Sequence, residues 1–329
     1  MSKFLRNLCP SDSNGQLSEE TYREMSQQGD FEAFALEPKY DGSRYLLHLH
    51  FKGHHFTSRR KSVKTNEYSD KIEQVSHIKK LKILKQLEGI VLDGEAISKT
   101  MKLNGKGGVS GMLNSLPKRS RKLQKKYGKI KFMIFNILAD QGSIKIQRKP
   151  LSEKRKRIKE ILHLLYKINP KSKKFLVLVP QIKATTWKEA VVAYKQALKN
   201  GFEGLMIKDN REIEKRGVWK WKVYRDCCVK ITGYKPGKNK YKNQIGSIKF
   251  SVYDRKKWIE VGQCSGFTDK LRRKISKDRN HYIGKIIEVR GQEPSANGRI
   301  RHARFRRFRS DYPIEKVTLQ KMRKDMTLR

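Results

Sequence analysis

In "EPKYDGSRY", residues 37–45, a lysine is followed two positions on by an acid and three on by a glycine. Lys39 is either a nucleophile held beside a tight turn or one solvated lysine among many. Five later strings bear on that choice. "VLDGEA" sets Glu95 at the end of an apolar run, after Gly94, and "FMIFNIL" presents Phe135 from a second such run. "GFEGLMIKD" places Glu203 between two glycines at the mouth of a third. "VWKWKVYR" alternates, so Lys220 and Lys222 share one face of a strand and Trp219 and Trp221 the other. "RHARFRRFRSD" interleaves arginines with aromatics near the end of the sequence. Singly, each has a plain reading: turn acids, a core phenylalanine, a solvated strand face. Their occurrence together and in order calls for one explanation. It would join a nucleophile to two carboxylates that suit a hard cation and to a pair of ammonium groups.

The elements that must hold these residues are short. "YLLHLHF" and "HFTSRR" flank Lys52-Gly53-His54 as a hairpin would, while "GIVLDGEAI", "IKFMIFNIL" and "FLVLVP" read as strands bounded by turn residues. Helical spacing appears in "SDKIEQVSHIKKLKILKQL", in "SEKRKRIKEILHLLYKI" and in "TWKEAVVAYKQALKNG", the last closed by Gly201. Ahead of them "LSEETYREMSQQG" reads as a short helix capped by Ser18. Strands and helices alternate irregularly, which predicts an α+β domain over 1–225. From residue 226 the pattern becomes Gly-rich turns between alternating strands, with one basic helix, "TDKLRRKI". That predicts a small β-barrel over 226–329, and the nucleic-acid-binding barrel of this size is the OB-fold.

Composition narrows the partner. The 329 residues carry 77 Lys+Arg against 32 Asp+Glu, a formal charge of +45, with 36% hydrophobic residues. Such self-repulsion adds nothing to the stability of a fold, so a polyanion is the economical partner, and nucleic acid is the first candidate. The cysteines, Cys9, Cys227, Cys228 and Cys264, form no CxxC pair, which argues against a zinc ribbon or a disulfide framework. No leader-like or membrane-spanning run is present, so a soluble intracellular protein is expected. "NGKGGVSG" (residues 104–111) lacks the order of a P-loop and reads as a surface loop. "KRSRKLQKKYGK" reads as an exposed segment, facing DNA or solvent, and the eight histidines, His54 and His55 among them, as surface or strand residues.

The ordered strings resemble those of the covalent nucleotidyltransferases, and among them most closely the ATP-dependent DNA ligases. "KYDGSR", "TSRR", "LDGEA", "FMIFNI", "EGLMIK" and "WKWK" carry the likeness, and the barrel strings "IGSIKFSVYD" and "RHARFRRFRSD" extend it. The resemblance implies a nucleotidyltransferase domain of ATP-grasp-like antiparallel sheets followed by an OB-fold. It implies a minimal enzyme, with no large helical DNA-binding domain ahead of Lys39, that seals nicks in duplex DNA as a monomer for replication, recombination or repair. Residue by residue, it implies that Lys39 takes AMP from ATP, that Lys220 and Lys222 assist, and that Glu95 and Glu203 hold Mg²⁺ or Mn²⁺. Glu37 would accept from the adenine amine, Phe135 would stack on the base, and Arg44 would hold sugar or phosphate beside a permissive Gly42. Arg59 would hold the 5′-phosphate of the nick. The third strand has Asn136 where the family has an acid, and the last string ends Asp311-Tyr312 rather than Asp-Lys. The pyrophosphate contact would then fall to Arg307 and Arg309.

A capping guanylyltransferase or an RNA ligase would use the same lysine, but the barrel strings favour a DNA ligase. NAD-dependence is disfavoured without zinc-ribbon cysteines. A non-catalytic nucleic-acid-binding protein would not need Lys39, both acids and both strand lysines together.

Overall fold

The computed structural model describes residues 34–62, 65–214, 216–292, 294–295 and 297–326; the helix expected after Leu17 lies outside them. The chain divides into two compact units, Met1–Lys222 and Val223–Arg329, a few residues before the 225/226 boundary expected from composition.

The strands of the first unit are β1 (Phe34–Pro38), β2 (Ser43–Leu49), β3 (His55–Lys61), β4 (Tyr68–Asp70), β5 (Ile90–Ile97), β6 (Lys131–Ala139), β7 (Leu176–Leu178), β8 (Ile182–Lys183), β9 (Gly204–Asp209) and β10 (Val218–Lys222). They form a six-stranded sheet in the order β4-β3-β2-β5-β6-β7 and a four-stranded sheet in the order β10-β9-β1-β8. All pairings in the two sheets are antiparallel except β6 with β7. Helix Leu151–Ile168 contributes Ile158, Ile161, Leu162 and Leu165 to one core with Phe56, Leu92, Phe132 and Ile134 of the larger sheet. That i, i+3, i+4, i+7 spacing is what an amphipathic helix needs to cover a sheet. A smaller core lies under the four-stranded sheet, where Ala190 and Ala197 of helix Trp187–Lys199 meet Phe34, Leu36, Leu205 and Ile207. Thr186 caps that helix by accepting from the Glu189 amide at 3.2 Å.

The helix expected over residues 69–87 does not form as one piece. It is broken into short turns at Ile72–Gln74, Ser76–Lys79 and Lys85–Leu87. The break has a tertiary cause. His54 Nε2 lies 2.8 Å from the Leu81 carbonyl, and the Asn169 side chain bonds both the amide and the carbonyl of Lys82. Backbone groups that a continuous helix would use are thus engaged by other elements. "KRSRKLQKKYGK" is largely exposed, as expected, and lies mostly within a helix, Pro117–Tyr127. The glycine-rich loop departs from its reading at its end, which enters a helix, Val109–Leu113, whose Val109 is buried. His48 is a buried strand residue of β2, while His54, in the turn before β3, is buried rather than superficial.

The second unit contains β11 (Arg225–Pro236), β12 (Ile245–Asp254), β13 (Lys257–Cys264), β14 (Ile286–Gln292) and β15 (Arg301–Phe308) in the order β13-β12-β11-β14-β15. A bridge between Ser265 and Arg304 joins the two edges, so the sheet closes on itself around Val229, Ile248, Phe250, Ile287 and Val289. This is a small barrel, as expected from the sequence, and it has five strands.

Candidate active site

Strand register assembles the site. In the four-stranded sheet Glu37 lies opposite Met206, and Met206 opposite Lys220. One step along, Lys222 pairs with Gly204, and the Lys39 amide donates to the Gly204 carbonyl at 3.0 Å. The Glu203 amide in turn donates to the Lys39 carbonyl at 2.9 Å. The backbone of the lysine and that of the acid therefore fix each other, and side chains distant in sequence become neighbours. Gly204 permits this approach: its φ is +142°, and a Cβ there would strike the Trp221 carbonyl. Trp221 itself faces away, stacked on Tyr194 at 4.2 Å and on Trp187 at 5.1 Å. Lys220 and Lys222 are thereby turned toward the site, as the alternation requires.

The side chains meet in a cavity of about 290 Å³ lined by residues of both sheets, Lys39, Arg44, Arg59, Glu95, Phe135 and Lys220 among them. Lys39 Nζ is 2.9 Å and Lys222 Nζ 2.8 Å from the same Glu203 oxygen. Burial would raise the Glu203 carboxyl, but the two ammonium groups outweigh it and hold it at about 2. Lys222 is shifted down, first by its burial and then by the charge of Lys39. Glu95 goes the other way. Burial pushes it up to about 7, against the pull of Lys39 and Arg44. The two carboxylates called together from sequence are thus in opposite electrostatic states, one fully committed as an anion and one poised to ionise near neutrality.

Glu37 is only 2% exposed, and both of its oxygens are engaged. Lys208 Nζ lies 2.8 Å from one, and Gln181 donates to the other at 3.0 Å, with Arg155 at 3.4 Å. Phe135 lies under cations, the Arg44 guanidinium 5.1 Å and Lys208 Nζ 5.5 Å from its ring centre. Arg44 is gripped in a fork by Asp93, Nε to Oδ1 at 2.9 Å, and reaches Glu214 at 3.6 Å. Asn136 donates to Glu214 as well, and buried Lys154 stands 3.8 Å from it. Burial, with Asp93 nearby, raises the Glu214 carboxyl. The amide of Asn136 in β6 is thus met by the carboxylate of Glu214, which lies between β9 and β10.

Lys39, Glu37, Arg44, Arg59, Glu95, Phe135, Lys220 and Lys222 all line the cavity, and Glu203 is ion-paired to two of them. Arg307 and Arg309 belong to the second unit. There Glu288 holds both, at 2.9 and 3.1 Å, and Asp311 takes a second arm of Arg309 at 2.7 Å. Sequence reading missed Asp93, Lys154, Arg155, Gln181, Lys208 and Glu214. Period-two spacing could have found Asp93, two residues from Glu95, and Lys208, two from Met206. Nothing local marks Glu214 or the helix residues.

Two carboxylates open to substrate phosphates are the usual protein share of an Mg²⁺ site, and Glu95, poised to ionise, fits such a cation. Glu203 would have to part from its lysines to join it. Among the described residues no set of three or more His, Cys, Asp or Glu side chains could hold a metal by itself. No helix among them is long and apolar enough to cross a membrane.

Comparison with known proteins agrees with this architecture. The family model for the ATP dependent DNA ligase domain matches residues 17–225, and that for the DNA ligase OB-like domain matches 236–309. The chain is 28% identical over 257 residues to a DNA ligase of Methanoculleus marisnigri, covering 75% of this chain and 42% of that protein. It is 26% identical over 250 residues to the DNA ligase of Fowlpox virus, covering 70% and 40%. The chain thus spans about two fifths of the length of the curated relatives it matches. In fold it is similar to the solved structure Pmar-Lig_PreS3, with a TM-score of 0.62 at 20% identity, over 94% of this chain and 70% of that one. It is also similar to a structure from a structure–function study of DNA binding by minimal-scaffold Lig E DNA ligases, with a TM-score of 0.60 at 16% identity, over 91% and 99%.

Proposed function

Because this chain belongs to the ATP-dependent DNA ligase family, we propose that it seals breaks between a 5′-phosphate and a 3′-hydroxyl in duplex DNA, with ATP as the activating substrate. The observation that carries the proposal is the placement of Lys39 at the cavity, its amine on Glu203 and its backbone locked to residues 203 and 204. In the first step the neutral amine attacks the α-phosphorus of ATP. A phosphorus–nitrogen bond forms, the bond to pyrophosphate breaks, and the amine gives up a proton. In the second, a 5′-phosphate oxygen of the nick takes the AMP and the lysine is released. In the third, the 3′-hydroxyl attacks that activated phosphate and AMP leaves.

The residues share this work by their chemistry. Glu203 pairs with the Lys39 amine and holds it at the cavity. Lys220 and Lys222, at the cavity lining, would offset charge that builds on the phosphoryl oxygens. Arg44, fixed by Asp93 and Glu214, is preset for ribose or phosphate. The face of Phe135 offers a stacking surface for the base, and Glu37, held by Lys208, Gln181 and Arg155, the acceptor for its amine. Arg59 at the cavity lining is suited to the 5′-phosphate of the nick. Bound at Glu95 and Glu203, Mg²⁺ or Mn²⁺ would offset phosphate charge and align the α-phosphate. Arg307 and Arg309 would serve pyrophosphate only after exchanging Glu288 and Asp311 for it. The protein would act as an intracellular monomer on nicked duplex.

The test is sealing of a singly nicked duplex by the purified chain. Joining is expected with ATP and Mg²⁺, not with GTP or NAD, and not by Lys39→Ala. A folded wild-type chain that joins no nick would overturn the proposal.

A further inference from the structure

Helix Pro117–Tyr127 is built against its own stability. Its sequence, PKRSRKLQKKY, has no acid, and Lys118, Arg119, Arg121, Lys122, Lys125 and Lys126 are all exposed. The i, i+4 pairs Lys118/Lys122, Arg121/Lys125 and Lys122/Lys126 each place like charges side by side, which destabilises a helix. Its first turn holds Lys118 and Arg119, cations at the end where the backbone dipole is positive. Apolar packing is limited to Leu123 and Tyr127, which are half-buried against the main core. The fully buried residues of the helix are Ser120 and Gln124, which hold it through hydrogen bonds: Gln124 Nε2 donates to the Gln74 carbonyl at 2.7 Å, and Gln124 Oε1 accepts from the Ile130 amide at 3.2 Å. At eleven residues it is below the length at which isolated helices persist in water.

Among the described residues no acid relieves this repulsion. Among the described residues none of these six cations makes an ion pair, and the loop that packs beside the helix adds more of the same sign. Gly107 lies against the ring of Tyr127 and Gly128 against Lys99, so the loop carrying exposed Lys99, Lys102 and Lys106 adjoins the end of the helix. The outward cations recur with a rise of about 6 Å between i and i+4, along a rod about 16 Å long. A repeated anion at similar intervals would remove the repulsion, oppose the unfavourable dipole and release its own counterions.

We propose that this helix, with the adjoining 99–106 loop, is a docking face for the phosphate backbone of the duplex, separate from the cavity that holds Lys39. The inference rests on the reading that the chain acts on DNA and adds where the duplex is gripped. These contacts would be to phosphates, so they set affinity and orientation without reading sequence.

The test replaces Lys118, Arg121, Lys122 and Lys125 together by Gln, which keeps helix propensity. A control chain carries Gln at Lys156, Lys159, Lys171 and Lys174, four exposed cations elsewhere in the same unit. Binding to a nicked duplex is measured against salt, and lysyl-AMP formation with ATP alone reports an intact fold and cavity. The helix variant should form lysyl-AMP at the wild-type rate, while its slope of log affinity against log salt becomes shallower by about 2 to 4. The control should keep the wild-type slope. Equal slopes in all three chains, or equal losses in the variant and the control, would overturn the helix as a docking face. Wild-type protein that binds no duplex would instead overturn the ligase reading itself. A variant that forms no lysyl-AMP would show that the helix is not separate from the cavity and would overturn that part of the proposal.

Discussion

At the scale of single residues, geometry separates groups that the sequence made look alike. Glu95 and Glu203 were equivalent in the strings, each an acid beside a glycine. In the fold one is pushed up to about 7 by burial and the other held at about 2 by two ammonium groups. A cation at Glu95 must therefore compete with a proton that the folded protein keeps until about neutrality. We expect the Mg²⁺ concentration for half-maximal lysyl-AMP formation to rise as pH falls below about 7, approaching tenfold per unit for one competing proton. A flat requirement between pH 5.5 and 8 would contradict the role of Glu95. Gly42 provides a second check. A Cβ there would lie 2.7 Å from Cγ of Glu95 and would strike the Ala96 carbonyl. Gly42→Ala should slow lysyl-AMP formation by about tenfold or more, because small misplacements of reacting groups are costly. Single-turnover labelling would detect it, and an unchanged rate would mean that Glu95 needs no such fixed position. Glu214 shows the limit of reading residues from sequence. It completes the Arg44 and Asn136 cluster, yet it lies in a loop with no periodicity to mark it.

At the scale of elements, strands with strict alternation were legible and long-range backbone pairing was not. The period-two pattern of "VWKWK" already sorts lysines from tryptophans. What it cannot give is the register that sets Lys222 beside Gly204 and so beside Lys39. Helical spacing was reliable where the apolar stripe meets one sheet, as in Leu151–Ile168. It failed over residues 69–87, where His54 and Asn169 draw backbone groups away. Strand β10 owes its orientation to the stack of Trp187, Trp221 and Tyr194 behind it. Trp221→Ala should cost about 2–4 kcal/mol in urea unfolding and reduce lysyl-AMP formation along with stability. Wild-type stability in that variant would show that the stack does not hold the strand.

At the scale of the whole chain, the two compact units divide at Lys222/Val223, close to where the texture of the sequence changes, and composition gives a formal charge of +45. A chain so charged should hold DNA mainly through phosphates. Its affinity for a nicked duplex should then fall steeply with salt, with a slope worth about six phosphates or more; a slope worth one or two would contradict this. The proposed reaction nonetheless depends on one bond, between Lys39 Nζ and the α-phosphorus of ATP. The direct measurement is to incubate the protein with ATP and Mg²⁺, denature it, and locate the added AMP by peptide mapping. A single adenylyl group on Lys39, absent in Lys39→Ala, is expected. Attachment to another residue, or a Lys39→Ala chain that still acquires AMP, would contradict it.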